Sequence, residues 1–285
     1  MPELQGIATT RRRLRGELRR LREQARLNQA EVATKLDWSI SKLIRIENGS
    51  VGISVTDVRA LADIYRADPP ATEDLVELAR ATRARQWWSA YRQHLSQSFR
   101  ELIAYEAEAS AILQQHPTVV PGLLQTEEYM REIIPAAALG RLSATEVEAQ
   151  VTVRRTRQRT VLAGTMEYTA IIDEAALRRR VGGAAVMRRQ LEHLARLAVA
   201  DDAVRLAVLP FAAGAHPGIH GAFLIMDFAS AAEASVLFLE TATGSPVERE
   251  QQEVGRYRTA FHDLLDRSLC GEAAAAVIRE IAAGC

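Results

Sequence analysis

The sequence is poor in several things that would place it quickly. It has two cysteines, Cys270 and Cys285, in no metal-ligand spacing, so neither a disulfide framework nor a zinc site is indicated and a reducing, cytoplasmic setting is expected. No apolar run approaches the roughly 18 residues that would suggest a membrane span. Arg11-Arg12-Arg13 is followed by the charged stretch Leu14 to Arg26 rather than by an apolar segment, so no export signal is expected. A Walker Gly-Lys-Ser/Thr motif, a nucleophile elbow and a GxGxxG loop are all missing. Excess charge of one sign is missing too, since 36 basic residues balance 36 acidic ones.

What is there begins with length. At 285 residues the chain suggests two domains, or a small one joined to a larger one. Its charge is unevenly spread, with 13 basic and 9 acidic residues in 1–70 against 23 and 27 in 71–285. Lys35 and Lys42 are the only lysines.

Leu14, Leu18, Leu21 and Ala25 recur at helical spacing and predict an amphipathic helix. Asn28 and Glu31 form a capping box for a second helix from Gln29 to about Leu36, with Leu27 stapled to Val32. Asp37-Trp38-Ser39 offers a turn and a new N-cap, Trp38 packing on Leu43. A third helix then runs from Ile40 to Asn48, and Gly49 supplies its left-handed end. Ser54 and Asp57 open a fourth, through Val55, Val58, Leu61, Ala62 and Tyr65, ending near Asp68-Pro69-Pro70. Two short helices joined by a tight turn, within a bundle of about five, have the geometry of a helix-turn-helix.

Leu27 through Ala33, together with Ser39-Ile40-Ser41-Lys42-Leu43-Ile44-Arg45-Ile46-Glu47-Asn48-Gly49, closely resembles the Xre-type phage-repressor-like DNA-binding domain over about sixty residues. The resemblance implies that Gln29 touches the DNA backbone or a base. It implies that Ile40, Ser41, Ile44 and Arg45 read the major groove, with Ser39 and Lys42 nearer phosphates. It implies also that Arg22 and Glu47 form a structural ion pair locking the first helix to the third. Where that family has Gly in the turn, this chain has Asp37, which tolerates positive φ better than most residues. Chemistry fits the same reading, because an arginine can take guanine bidentately and an exposed isoleucine can meet a thymine methyl. Packing under the fold is the plainer alternative for Ile40 and Ile44, and a solvated charge for Arg45.

Beyond Pro70, Leu75, Leu78, Ala79 and Ala81 keep helical spacing, and Trp87, Trp88 and Tyr91 form an aromatic cluster that most often means core. Phe99, Leu102, Ile103, Ala109, Ile112 and Leu113 read as a further helix up to His116-Pro117, so 71–164 is expected to be a helical connector and the start of the C-terminal region. Pro121-Gly122 marks a turn, and helices are expected over 127–134 and 145–162. In the last of these, Arg154, Arg155, Arg157 and Arg159 read as a solvated or salt-bridged face, or as a second nucleic-acid contact.

From Met166 the pattern changes to strands over 166–172, 204–209, 222–228 and 235–239, with helices at 174–180, 186–198, 248–269 and 272–283. These predict an α/β sheet covered by helices over 165–285. The expected fold class is therefore multidomain α and α/β: a five-helix bundle over 1–70, a helical connector, and a C-terminal α/β domain.

Trp87-Trp88, Pro121-Gly122-Leu123-Leu124-Gln125-Thr126, Asp173-Glu174-Ala175-Ala176-Leu177, Val208-Leu209-Pro210 and Gly221-Ala222-Phe223-Leu224 resemble a C-terminal domain found behind Xre-type domains in high-GC Gram-positive bacteria. That group, the Scr-type, is regarded as antitoxin-like regulators, often encoded beside a small partner protein. The resemblance implies a regulator of double-stranded DNA, acting as a homodimer, and supplies no ligand chemistry; a rear domain that senses a small partner protein or a ligand is the expectation set beside it.

The alternative is an enzyme tethered to DNA. His193, His216, His220, Asp173, Glu174 and Glu240 are its candidate acids and bases, yet none sits in a known catalytic motif. His216-Pro217-Gly218-Ile219-His220 lacks helical metal spacing and has no further ligand. The expectation is therefore no catalytic residue, no metal, no cofactor and no membrane partner, and the sequence names no ligand-binding residue.

Overall fold

A computed structural model of the chain describes residues 7–47, 53–81, 87–107, 109–161, 166–200, 204–229, 234–240, 247–248 and 250–285. They form two compact units, 1–87 and 88–285. The division falls at neither of the expected boundaries, 70 and 165.

The described residues of the front unit form five helices: α1 (Ile7–Gln24), α2 (Gln29–Leu36), α3 (Ile40–Glu47), α4 (Val55–Ile64) and α5 (Pro69–Ala81). Local chemistry sets most of their ends. The Asn28 side chain accepts from Glu31 N while Glu31 reaches back to Asn28 N, completing the capping box. Asp37 closes α2 in the left-handed region at φ 54°, and Ser54 accepts from Asp57 N at the start of α4. Asn48 and Gly49 lie outside the described residues.

Pro69-Pro70 begins a helix here. Asp68 Oδ1 accepts from Ala71 N at 2.8 Å, and proline in a first turn forfeits an N–H that has no intrahelical partner anyway. Leu75, Val76 and Ala79 of α5 then bury in one core with Leu14, Leu18, Val32, Leu43, Val58 and Leu61. The helix read as the start of a connector thus completes the front bundle.

The rear unit begins within a 3-10 segment, Trp87–His94, and continues through α6 (Gln97–Glu106) to β1 (Ala111–His116). This overturns the expected helix up to His116, because Ile112 to His116 is a strand at the middle of the sheet. Then follow α7 (Glu127–Ala137), α8 (Ala144–Val161), β2 (Glu167–Asp173), α9 (Glu174–Arg178), α10 (Gly183–Val199), β3 (Val204–Leu209), β4 (Phe223–Asp227), β5 (Val236–Leu239), β6 (Val247–Glu248), α11 (Gln251–Asp266), β7 (Leu269–Cys270) and α12 (Gly271–Ala283). Residues 71–164, expected as a helical connector and the start of the C-terminal region, are divided between the two units.

Seven strands, among the described residues, pair in the order β6-β5-β4-β1-β2-β3-β7. β1, β2 and β3 are parallel, with Ile112 opposite Tyr168 and Tyr168 opposite Val204. β4 runs antiparallel to β1 and β7 antiparallel to β3. Alternation along the strands sends Tyr168, Ala170, Ile172, Leu206, Val208, Leu224 and Met226 into one core with Met187, Leu191 and Leu194 of α10 and Ile278 of α12. Ile171, Ala207, Leu209, Phe223 and Ile225 enter a second core with Val254, Phe261 and Leu264 of α11. Both faces are covered, as a sheet with parallel strands at its centre requires.

Candidate functional site

Arg22 is the hinge pin of the front unit. Its Nε and Nη2 donate to the two carboxylate oxygens of Glu47 at 2.7 and 3.2 Å, and its Nη1 donates to Leu27 O at 3.0 Å. One side chain therefore ties the end of α1, the entry to α2 and the end of α3 together. The two side chains are only 11% and 5% exposed, and the bidentate geometry is the strong form of this bond. Hydrogen bonding to Glu47 raises the Arg22 pKa against the opposing effect of burial.

Around this lock the expected DNA-reading residues take up different positions. Ile40 is 48% exposed, Ser39 and Ser41 are exposed, and Ile44 is half-buried. Ile40 therefore stands out from the bundle, while Ile44 is partly packed. The Arg45 side chain lies outside the described residues, although its backbone belongs to α3. Ser39 Oγ accepts from Lys42 N at 3.1 Å and so also caps α3.

Two of these residues are already engaged within the bundle. Gln29 Nε2 donates to Glu47 Oε2 at 2.7 Å, which holds the first residue of α2 against the last of α3 and, among the described residues, leaves its side-chain carbonyl oxygen and second N–H for another partner. Lys42 Nζ is 3.2 Å from Asp57 Oδ1 and 3.5 Å from the centre of the Trp38 ring. A phosphate would have to compete with both for that ammonium.

The rear unit holds a second arrangement, which helical spacing alone did not reveal. Arg157 of α8, expected on a solvated or salt-bridged face or at a second nucleic-acid contact, is salt-bridged but buried, and its Nε and Nη2 donate to Glu106 at 2.8 and 2.6 Å. Arg154, one turn earlier, lies on the same inner face. Its Nη1 donates to Gln125 Oε1 at 2.5 Å, while its Nε has no hydrogen-bond partner among the described residues. Burial, with Arg157 adding repulsion, pushes the Arg154 pKa down to about 10. Arg155, in contrast, is exposed and pairs with Glu127, and Arg159 is exposed.

Arg154 and Arg157 line a cavity of about 130 Å³ together with Glu106, Glu240, Gln114 and the apolar side chains of Phe99, Leu102, Ile112, Leu123 and Leu224. A polar chain runs along one wall. Tyr168 Oη donates to Gln114 Oε1 at 2.6 Å, Gln114 Nε2 donates to Glu240 Oε1 at 3.2 Å, and His116 Nε2 lies 3.3 Å from Glu240 Oε2. His116 Nδ1 faces the N–H groups of Thr118 and Val119. That arrangement leaves the imidazole proton on Nε2, pointing at Glu240. Burial raises the Glu240 pKa, but the His116 hydrogen bond and the charges of Arg157 and Arg154 outweigh it and hold the group below its ordinary value.

The other candidate acids and bases do not gather there. His216 Nε2 is 3.5 Å from Asp173 Oδ2, with side chains 7% and 12% exposed. Asp173 Oδ1 also accepts from Ala175 N, capping α9. Glu174 accepts from Phe211 N and Arg178. His193 is half-buried on α10, its pKa lowered by burial and by Arg196, and His220 is exposed. Among the described residues no group of three or more His, Cys, Asp and Glu side chains is placed to hold a metal ion, and no helix is long and apolar enough to cross a membrane.

Comparison with known families matches residues 13–75 to a helix-turn-helix domain and residues 99–280 to a domain of unknown function, DUF5753. No curated protein and no solved structure matches the chain.

Proposed function

The chain belongs to the family of the DUF5753 domain of unknown function and carries a helix-turn-helix domain ahead of it, and from that premise we propose a sequence-specific transcriptional regulator of the Xre type. It binds double-stranded DNA as a homodimer through α3. Its rear unit, antitoxin-like in the Scr-type manner, senses a small partner protein or a ligand. The helix-turn-helix match supports a DNA-binding regulator, and the carrying observation is α3 itself. The Arg22–Glu47 lock and the Gln29–Glu47 bond hold it rigidly, while Ile40 and Ser41 stay exposed near its start. A short recognition helix held this way loses little conformational freedom on entering a major groove.

Ile40, Ser41, Ile44 and Arg45 form the base-facing set, with Ser39 and Lys42 nearer the phosphates and Gln29 touching the backbone or a base. Lys42 releases Asp57 when phosphate is bound. Two copies place their recognition helices about 34 Å apart on an inverted repeat. Trp88 contributes little to dimer contact, being 6% exposed, whereas Leu139, Phe211 and Ile219 are exposed apolar side chains of the rear unit.

The rear unit is assigned a sensing role and not catalysis, and it uses no cofactor. Asp173 with His216 is the pairing that would favour an enzyme. Their side chains are nearly closed to solvent, and a general base must reach its substrate, so the pair reads as structural.

The test is a quantitative binding measurement with full-length protein on a mapped operator, its two separate half-sites and an unrelated duplex. Tight binding confined to the intact inverted repeat is expected. Equal affinity for all of them would remove sequence-specific regulation.

A further inference from the structure

Four charged side chains line the cavity of the rear unit, and their charges sum to zero. Arg157 and Glu106 satisfy each other through two hydrogen bonds. Arg154 and Glu240 remain. Both line the cavity, and among the described residues no ion pair joins them. Arg154 has a neutral partner, Gln125, for one nitrogen and none for Nε. Glu240 accepts one neutral hydrogen bond at one oxygen and faces an imidazole at the other. A purely anionic occupant would answer Arg154 and repel Glu240, and a cation would do the reverse. An occupant carrying both charges answers both.

Size narrows the class further. A cavity of about 130 Å³ is comparable to the engineered hydrophobic cavity of roughly 150 Å³ that holds benzene, so it has room for a handful of heavy atoms. Phe99, Leu102, Leu123 and Leu224 supply an apolar wall for a short hydrocarbon group.

We propose that this cavity binds a small α-amino acid, between glycine and valine in size, with its carboxylate at Arg154, its ammonium at Glu240 and its side chain against the apolar wall. The site deepens the sensing role assigned above and rests on it only for an effect on DNA. Binding itself is independent of the front unit. Gln125 positions Arg154, since Gln125 is buried and its own Nε2 is anchored on Val120 O at 2.7 Å. Gly122 keeps the approach open, because a Cβ there would lie 3.3 Å from Arg154 Nε.

The experiment is calorimetric titration of the full-length protein with glycine, L-alanine, L-serine and L-valine. The amide and the N-acetyl derivative of whichever binds are titrated alongside, with L-tryptophan as the size control. At least one of the four should bind saturably at one per chain. Loss of the carboxylate in the amide, or of the ammonium in the N-acetyl form, should each weaken binding at least about tenfold, and tryptophan should give no saturable heat. Arg154→Gln and Glu240→Gln should each reproduce that loss.

Should either variant fail to fold, the derivative series on the unaltered protein still decides. No saturable binding of any of the four, or a derivative that binds as tightly as its parent, overturns the proposal. Operator binding measured on the same preparation separates the two readings: DNA binding without amino-acid binding removes this site and leaves the regulator, and the converse removes the regulator and leaves the site.

Discussion

Each unit of this protein is fastened by a bidentate arginine–glutamate pair, and the two pairs sit in different surroundings. In the front unit Glu47 accepts from Arg22 and Gln29 at once while Arg22 also holds Leu27 O, so the ends of α1 and α3 and the start of α2 are fixed together. In the rear unit Arg157 is answered by Glu106, and Arg154, one turn earlier, meets a neutral amide and a cavity with no ion pair among the described residues. The same kind of bond is used once to complete a scaffold and once beside an opening.

The largest effect should come from breaking the deeper pair. Glu106→Ala leaves the Arg157 guanidinium buried without a carboxylate and should cost about 3 to 5 kcal/mol in unfolding free energy. The double change Glu106→Leu with Arg157→Met should cost far less, because it strands nothing. Chemical denaturation followed by circular dichroism reads both. A double variant as unstable as the single one would mean that the charges themselves hold the rear unit.

Glu47→Ala should cost somewhat less, about 1.5 to 3 kcal/mol on the scale of hydrogen bonds to charged groups, since Arg22 keeps its bond to Leu27 O. It should also free Gln29. Operator affinity should fall even where the bundle remains folded, a result that a purely stabilising pair would not give.

On DNA, Arg45→Ala should lose about 1 to 3 kcal/mol and relax preference at one base pair. Unchanged affinity and preference would take Arg45 out of the reading set. Lys42→Ala should weaken all sequences alike and flatten the salt dependence by about one unit of slope. Because Asp57 holds the same ammonium at 3.2 Å, Asp57→Asn should strengthen binding at low salt, and no change would mean that Lys42 never leaves Asp57.

The smallest effect concerns pH. His193 is held below its ordinary pKa of 6.5 by burial and by Arg196. Below that value the unfolded chain takes a proton that the folded one resists, so stability is present above pH 6.5 and is lost as pH falls. His193→Gln should flatten the melting temperature in that window, and an unaltered slope would place the titration elsewhere.

The two units also differ in how far their sequences can be read. Front helix boundaries follow from neighbours within four residues: Asn28 with Glu31, Ser54 with Asp57, and Asp37 at its left-handed turn. Such signals stay local, so they survive in a sequence read alone. Pro69-Pro70 misled because the same dipeptide that ends one helix opens the next once Asp68 caps it.

In the rear unit the decisive partners are distant. Ala109 to Leu113 has apolar spacing compatible with a helix, and only pairing with Tyr168 and Met226 makes Ile112 part of a strand. Gln114-Gln115-His116 held a usable sign, being polar residues in an otherwise apolar stretch that the structure places at the end of a parallel strand. Arg154 and Arg157 carried no such sign, since nothing in the pattern of α8 distinguishes the arginine that meets Glu106 from the one that meets water.

The central claim, that this is a sequence-specific DNA-binding regulator, is met most directly by selecting from a random duplex pool with the full-length protein and sequencing what is retained. Enrichment of one inverted repeat is expected, with half-sites centred about one helical turn apart, and loss of that enrichment with Ser41→Asp, which puts a negative charge on the exposed face of α3. Retained sequences indistinguishable from the input pool would contradict it.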